Sequence, residues 1–243
     1  MKKLFSCILV LSLVLSMALC AFAEEKGEGV MTYAEYAAAE LESEVTVETY
    51  VQAKQSWWDN KATLYTQDQD GAYFLYELPC TEEEYAQLVP GTKIKVTGYK
   101  SEWSGEVEII DSSFEIEEGE YIAEAVDVTE LLGTDELVDK INQFVSFKGL
   151  TVEPSKIEGD DTEYAWLYGW DGSGEPDNSD LYFNVSKDGD VFTFVVRFYL
   201  TNAESEVYNA VKALNVGDVV DLEGFLYWYN GANPHITSVT IVE

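Results

Sequence analysis

Histidine is nearly absent from this sequence, which has one such residue among 243. A Ser–His–Asp or Cys–His arrangement would have to use this one histidine, and zinc sites need several His or Cys ligands. The lone His235 therefore disfavours both, and we expect it to be a strand histidine with a satisfied hydrogen bond. Nucleophile elbows and phosphate-binding loops are also missing from the sequence. These absences predict that the protein is not an enzyme and has no catalytic residues.

Basic residues are scarce, with 14 Lys and Arg against 46 Asp and Glu, a formal net charge of −32. Proteins bind nucleic acid largely by neutralising phosphates with Lys and Arg. The charge therefore disfavours nucleic acid and anionic lipid as partners. It favours solubility outside the cell, and it also suits attraction of cations or of a basic partner.

Long hydrophobic runs are missing except at the N-terminus. Lys2 and Lys3 precede an apolar run from Leu4 to Leu19, and Ala21-Phe22-Ala23 forms a small-residue cleavage site. This pattern predicts a secretory signal peptide over residues 1–23, cleaved after Ala23, and hence a secreted protein. The alternative is a lipoprotein acylated at Cys20, which the large Leu19 before it disfavours. No later segment is long and apolar enough to predict a membrane span.

Only one cysteine is expected to remain after the predicted signal peptide is cleaved. Cys7 and Cys20 leave with the signal peptide, so Cys80 has no partner for an intramolecular disulfide. Stability must then come from buried apolar surface, and 47% of the residues are hydrophobic. We expect Cys80 to be a small buried hydrophobic residue.

An internal repeat is the main positive feature of the sequence. Two triplets of glycines, each spaced by seven residues, occur at Gly91, Gly98 and Gly105 and again at Gly217, Gly224 and Gly231. Around them, alternating apolar residues predict strands, and Asp70-Gly71 and Asp188-Gly189 predict hairpin turns. A capping box at Thr81–Glu84 and an apolar face over 204–214 predict one helix in each copy.

The order strand, strand, strand, helix, strand, strand occurs twice and resembles the OB-fold, a five-stranded Greek-key barrel. The signal peptide, the acidic charge and the Gly-x-x-Val-x-Val-x-Gly type of strand also resemble a group of exported bacterial OB-fold proteins of poorly defined function. The resemblance implies a mainly β chain of two tandem OB-fold-like five-stranded barrels, each with a helix between strands 3 and 4 and preceded by short helices. A pair of other small β-barrels or sandwiches is the alternative.

The repeat also predicts domain boundaries. We expect an N-terminal segment with a short helix at 24–43, a first barrel at 44–117, a linker with a short helix at 118–142 and a second barrel at 143–243. The linker helix is predicted over 134–142, and the apolar linker residues are expected to pack against a barrel. Val45 matches Val145 and Asp70 matches Asp188, so the second copy is 18 residues longer between strands 1 and 2. Insertions of this kind lie in surface loops.

Aromatic residues are concentrated in the predicted loops between strands 1 and 2 and between strands 4 and 5. OB-folds bind oligosaccharides and oligonucleotides with these two loops. The predicted ligand-binding residues are Trp57, Trp58, Trp103, Trp166, Trp170, Tyr227, Trp228 and Tyr229. The alternative is that these rings close the barrel ends or pack the two domains together.

These residues predict a secreted, non-catalytic binding protein whose ligand is a glycan or cell-wall saccharide, because sugar faces stack on aromatic rings. A protein or peptide partner, such as a cell-surface protein, is the alternative. Oligonucleotide binding is disfavoured by the net charge. No cofactor is predicted, although Asp171, Glu175 and Asp177 space oxygen ligands as a calcium loop does. Ordinary loop formation explains these three residues equally well.

Overall fold

A computed structural model describes residues 26–176 and 178–242 of the chain. The predicted signal peptide at 1–23 lies outside the described residues, as do Glu24, Glu25, Asp177 and Glu243. Within the described ranges, no helix has the length and apolar character needed to cross a membrane.

The first repeat forms a closed five-stranded barrel with the strand order β1-β2-β3-β5-β4. Strand β3 pairs with β5 in parallel, and the other neighbours are antiparallel. Helix α1 precedes the barrel and helix α2 lies between β3 and β4. The elements are α1 (Tyr33–Ala38), β1 (Glu44–Lys54), β2 (Lys61–Gln67), β3 (Ala72–Pro79), α2 (Glu82–Gln87), β4 (Thr92–Trp103) and β5 (Glu106–Glu120).

The second repeat closes in the same way, with β7-β9-β10-β12-β11 around the barrel and the short strands β6 and β8 added at its margins. Helices α3 and α4 lie between β10 and β11. The elements are β6 (Val126–Asp127), β7 (Phe144–Glu153), β8 (Leu167–Tyr168), β9 (Leu181–Lys187), β10 (Asp190–Val196), α3 (Phe198–Thr201), α4 (Glu206–Lys212), β11 (Val219–Phe225) and β12 (His235–Ile241). The predicted tandem OB-fold is confirmed.

The helix boundaries follow from local capping. Thr32 with Glu35 and Thr81 with Glu84 both form reciprocal capping boxes, which satisfy free backbone N–H groups at the first turn. The predicted linker helix over 134–142 is instead a 3-10 segment, Asp135–Lys140, preceded by another at Thr129–Leu131. Its N-cap residue, Thr134, makes no side-chain capping hydrogen bond, whereas Thr32 and Thr81 do so at the starts of α1 and α2.

The middle glycine of each triplet marks a place where a side chain would not fit. Strands β4 and β5 change register between Thr97 and Tyr99, and a Cβ at Gly98 would lie 2.7 Å from the Cβ of Ser112. In the second barrel β11 and β12 change register at Gly224, where a Cβ would overlap the carbonyl oxygen of His235. The repeat thus records a β-bulge that both barrels need.

Each barrel has its own hydrophobic core. The linker belongs to the second core, where Val128 and Leu132 are buried, although Val126 is exposed. The predicted packing of the linker is therefore seen for two of its apolar residues. Cys80 is buried in the first core as a free thiol.

Candidate functional site: the cleft between the barrels

The second barrel packs against the outer face of β2 and β3 of the first. Side chains alternate along these strands, so Tyr65 and Phe74 point away from the first core. They form a third buried cluster with Phe225 of the second barrel, against which Phe144 and Tyr227 also pack. OB-folds bind ligands on the face that carries strands 2 and 3. In this chain part of that face is already covered by the second domain.

Backbone hydrogen bonds fix the two barrels in one orientation. The Phe144 N–H donates to Oε1 of Gln67 at 2.8 Å. The Asn230 N–H donates to the carbonyl oxygen of Ser104 at 2.7 Å, which joins the two loops between strands 4 and 5. The Ser56 N–H also donates to the Tyr199 carbonyl at 2.7 Å, so the domains are joined at several points along the chain.

His235 lies in this interface and is hydrogen-bonded, as expected for a structural histidine. Its Nδ1 lies 2.6 Å from the hydroxyl of Tyr65, which accepts a hydrogen bond from Nε2 of Gln55 at 3.1 Å. Burial, with a further contribution from Arg197, holds the pKa of His235 well below its usual value. The imidazole is therefore neutral at pH 7, and its tautomer decides whether Nδ1 accepts from the Tyr65 hydroxyl or donates to it. His235 stacks on Tyr227 with ring centroids 4.2 Å apart.

A carboxyl group is also buried where the barrels meet. Glu106 has no exposed surface, and burial raises its pKa to about 8. Its Oε2 accepts a hydrogen bond from the N–H of Trp228 at 2.8 Å. Glu106 is therefore mostly protonated, and uncharged, at neutral pH.

Beside these contacts a cavity of about 700 Å³ opens between the barrels. We call it the inter-barrel cleft. Both barrels contribute to its walls, through β2, β3 and the end of β4 on one side and β9, β12 and the loop after β11 on the other. The lining residues are Gln55, Thr63, Phe74, Tyr76, Trp103, Trp170, Tyr182, Arg197, Tyr227, Tyr229, Asn233 and His235.

A second cavity of about 520 Å³ adjoins the cleft and shares Gln55, Thr63, Tyr76 and Arg197 with it. Its remaining walls come from the loop between β1 and β2, the outer side of β2 and β3, and α3. Among the residues that only this cavity has are Trp57, Trp58, Lys61, Glu77 and Tyr199. The two cavities form one groove with Arg197 at the junction.

The inter-barrel cleft differs sharply from the rest of the surface in charge. Among the described residues that line it there is no Asp or Glu, in a chain with 46 such residues. Arg197, the one arginine of the sequence, is held by Asp180 through a 2.6 Å bond from Nη1. The other polar groups of the lining are amides, hydroxyls and the neutral imidazole. The cleft therefore has aromatic walls and no negative charge on its lining.

Six of the eight predicted ligand-binding residues line this groove. Trp103 and Tyr229 contact each other across the two barrels, with ring centroids 5.1 Å apart, while each keeps about half of its surface exposed (55% and 50%). Trp58 and Trp170 are 81% and 77% exposed. The other two are Trp57, whose indole N–H donates to the Cys80 carbonyl at 3.1 Å, and Tyr227.

The remaining two predicted residues have packing roles. The indole N–H of Trp166 donates to the carbonyl of Lys212 at 3.3 Å, and its ring packs on the core of the second barrel. Trp228 also packs on that core and lies against Gly105, where a Cβ would come within 2.6 Å of its Cδ1. The sequence predicted ligand binding for aromatic residues that are neighbours in a loop. In the structure, neighbouring side chains such as Trp228 and Tyr229 point in different directions, so one packs on the core and the other lines the groove.

Sequence reasoning missed several lining residues, chiefly Tyr76, Tyr182 and Arg197. Tyr76 follows Phe74 by two positions on β3 and thus shares its outward face, a signal that strand alternation could have given. Arg197 could have been noticed as the lone arginine of an acidic chain. No signal pointed to Tyr182, because its place in the cleft depends on how the barrels dock.

In the predicted calcium loop, Asp171 forms a local turn. Oδ1 of Asp171 accepts from the N–H and hydroxyl of Ser173, at 3.0 and 2.7 Å, which is an ordinary loop turn. Asp177 lies outside the described residues. Across the described ranges, no group of three or more His, Cys, Asp or Glu side chains is placed to hold a metal ion.

Neither a protein-family model nor a curated protein matches the chain. It is similar to solved structures of low sequence identity. A murine DNA-binding protein bound to double-stranded DNA is 11% identical, covers 82% of this chain and 96% of its own, and has a TM-score of 0.37. The Ifi202 HINa domain in complex with 20-bp double-stranded DNA is 13% identical over 83% and 96%, with a TM-score of 0.33. A deletion mutant of the single-stranded DNA binding protein from Thermus aquaticus is 14% identical over 82% and 94%, with a TM-score of 0.25.

All three are described as DNA-binding proteins, and none as an enzyme. On this finding two predictions are wrong: that the ligand is a glycan or cell-wall saccharide, and that nucleic acid is a disfavoured partner. The physical reason is that net charge describes the whole surface, whereas the lining of the inter-barrel cleft has no carboxylate. At these identities and TM-scores the likeness concerns the fold alone, so the ligand is argued below from the cleft itself.

Proposed function

We propose that the chain is an exported, non-catalytic binding protein that holds the unpaired bases of single-stranded nucleic acid in the inter-barrel cleft. Export is supported by the signal-peptide pattern of residues 1–23. One observation carries the ligand assignment: the cleft is lined by seven Phe, Trp and Tyr rings, one arginine and no carboxylate.

Stacking is the interaction that these walls offer. Each base has a flat face, and stacking of one base on an aromatic side chain contributes about 1 to 3 kcal/mol. Trp103, Trp170 and Tyr229 present rings that are at least half exposed, so a base can reach them without opening the core. The adjoining cavity adds Trp58 and Tyr199, which extends the stacking surface along the groove.

The acidic surface determines how the strand must lie. Phosphates near the protein are repelled by a net charge of −32, whereas bases are neutral. Bases therefore point into the cleft and phosphates point to solvent. Most nucleic-acid-binding proteins lose affinity as salt rises because they release counterions from phosphates. Here salt screens a repulsion, so affinity should stay constant or rise between low and moderate ionic strength.

Replacing Trp103 with alanine should weaken binding of a fluorescein-labelled single-stranded DNA octamer by about tenfold or more, through loss of one stacking surface. Fluorescence anisotropy measures the dissociation constant. Trp166→Ala is the matched control, because Trp166 is a tryptophan of the second barrel that lies outside the groove. Far-UV circular dichroism establishes that both variants are folded.

Ligand variants separate base stacking from backbone binding. An octamer with abasic sites keeps its phosphates and should not bind, and a free nucleoside should bind more weakly than the octamer because it fills one stacking position. The proposal would be contradicted if the abasic strand bound as tightly as the intact octamer, or if no octamer bound. It would also be contradicted if a blunt-ended duplex of the same sequence bound as tightly as the single strand.

A further inference from the structure

The groove contains one permanent positive charge whose position is set by several contacts. Asp180 binds Nη1 of Arg197 at 2.6 Å, and the other oxygen of Asp180 accepts the Phe198 N–H at 2.7 Å. The hydroxyl of Tyr182 is a further hydrogen-bonding neighbour of the guanidinium. Arg197 is thus fixed in place at the junction of the two cavities.

The guanidinium is incompletely used within the protein. It has five N–H donors, and its buried Nε has no hydrogen-bond partner among the described residues. The side chain keeps 31% of its surface exposed. The described contacts of Nη1 and Nη2 are one bond to Asp180 and one neighbour, Tyr182, which is fewer than their four N–H groups. These two nitrogens are suited to a planar acceptor pair, which they can engage with two parallel bonds.

We propose that Arg197 recognises the O6 and N7 edge of a guanine base that stacks in the inter-barrel cleft, which makes the site selective for guanine. This inference rests on the proposed function. Guanine presents two acceptors on this edge, whereas adenine presents one acceptor and one donor, and pyrimidines have no N7. The neighbouring Gln55 and Asn233 are amides, which suit the remaining edges of a base.

A phosphate is the other acceptor that an arginine can bind, and the surroundings of Arg197 favour the base. Tyr182 and Tyr227 flank the cleft with flat apolar rings, which match a base and not a hydrated phosphate. Burial raises the pKa of both hydroxyls, so neither is ionised at neutral pH. A phosphate bound to Arg197 would also bring the sugar–phosphate backbone of the nucleic acid close to an acidic protein surface.

The test measures how tightly the wild-type protein binds a set of single-stranded DNA octamers. These octamers consist of thymine except at one central base, which differs between them. A central guanine should bind about tenfold more tightly than adenine or thymine. Hypoxanthine keeps O6 and N7 and should bind like guanine, whereas 7-deazaguanine lacks N7 and should lose most of the preference. Because these ligands are compared on the unmodified protein, folding of a variant does not affect the result.

The variant Arg197→Lys keeps the charge and removes the paired donors, so it should bring the ratio of guanine-octamer to thymine-octamer affinity down to about one. Equal affinity of all four bases, with Trp103 still required, would overturn guanine selectivity and leave the proposed function standing. An equal loss of affinity for every sequence in Arg197→Lys would show a phosphate contact and would also overturn it. Failure of every octamer to bind would overturn the proposed function itself.

Discussion

Replacing Glu106 with glutamine should make the protein more stable at pH 7 by roughly 3 kcal/mol, because the wild-type chain must take up a proton on folding. Burial raises the pKa of Glu106 to about 8, and the ordinary value is 4.5. Between these values the folded state binds a proton that the unfolded state has released. The free energy of unfolding therefore falls as pH rises through this window, by up to about 1.4 kcal/mol per pH unit from this group.

The contacts of Glu106 explain why glutamine should fit. In the described part of the chain, Oε1 of Glu106 and Oδ1 of Asn142 are buried without a hydrogen-bond partner. The Asn142 side chain is a hydrogen-bonding neighbour of the carboxyl across the interface. The Nδ2 of Asn142 already donates to the Val107 carbonyl at 2.9 Å. A proton on Oε1 gives the neutral carboxyl one hydrogen-bond donor. The amide of glutamine supplies the same donor and still accepts from the Trp228 N–H.

Urea unfolding followed by tryptophan fluorescence at pH 4 to 9 measures this effect. The stability gap between Glu106→Gln and wild type should vanish near pH 4, widen with pH and level off above about pH 8. Glu102→Gln, at an exposed position on the same hairpin, should show no such gap. Stability curves of wild type and Glu106→Gln that run parallel over the whole range would contradict the assignment.

Substitution of Gly224 by alanine should destabilise the protein by about 3 kcal/mol, although it adds a single methyl group. That methyl would overlap the His235 carbonyl oxygen and lie 2.7 Å from Cα of Ile236. Both are backbone atoms of β12, so neither can move without displacing the strand. Since His235 hydrogen-bonds Tyr65 of the first barrel, the displacement would extend to the interface and the cleft.

Gly217→Ala separates this steric effect from the conformational cost of replacing glycine. Gly217 has φ of +93° and open space around its Cα, so alanine there should cost only about 1 to 2 kcal/mol. Urea unfolding at one pH compares the two variants. If Gly217→Ala lowered the free energy of unfolding as much as Gly224→Ala or more, the close contact of Gly224 with β12 would not be the reason that glycine is needed there.

The fold could be predicted because its signals are local and repeated. Threonine and glutamate three residues apart specify a helix start, and the glycine triplets specify bulges that recur in each barrel. The linker 3-10 segment was predicted as a short helix, but its Thr134 lacks the side-chain capping bond that starts α1 and α2.

The site could be predicted only in part. Positions in the predicted loops were enough to predict ligand binding for Trp58, Trp103, Trp170 and Tyr229. These four residues line the groove. The roles of Trp166 and Trp228 differ because neighbouring side chains point in different directions, which a loop sequence does not specify. The predicted ligand was wrong because a whole-chain charge was applied to one small surface.

The sequence by itself determined that the chain is duplicated, that each copy is a five-stranded barrel with a helix after its third strand, and where glycine is required. These properties depend on backbone geometry and on side-chain alternation, which are determined by residues close together in the sequence. Only the tertiary structure decided that the second barrel covers part of the β2 and β3 face of the first. That contact joins outward-facing side chains of distant segments, such as Tyr65 and His235, and thereby forms an aromatic cleft without a carboxylate among its described lining residues, in an acidic protein.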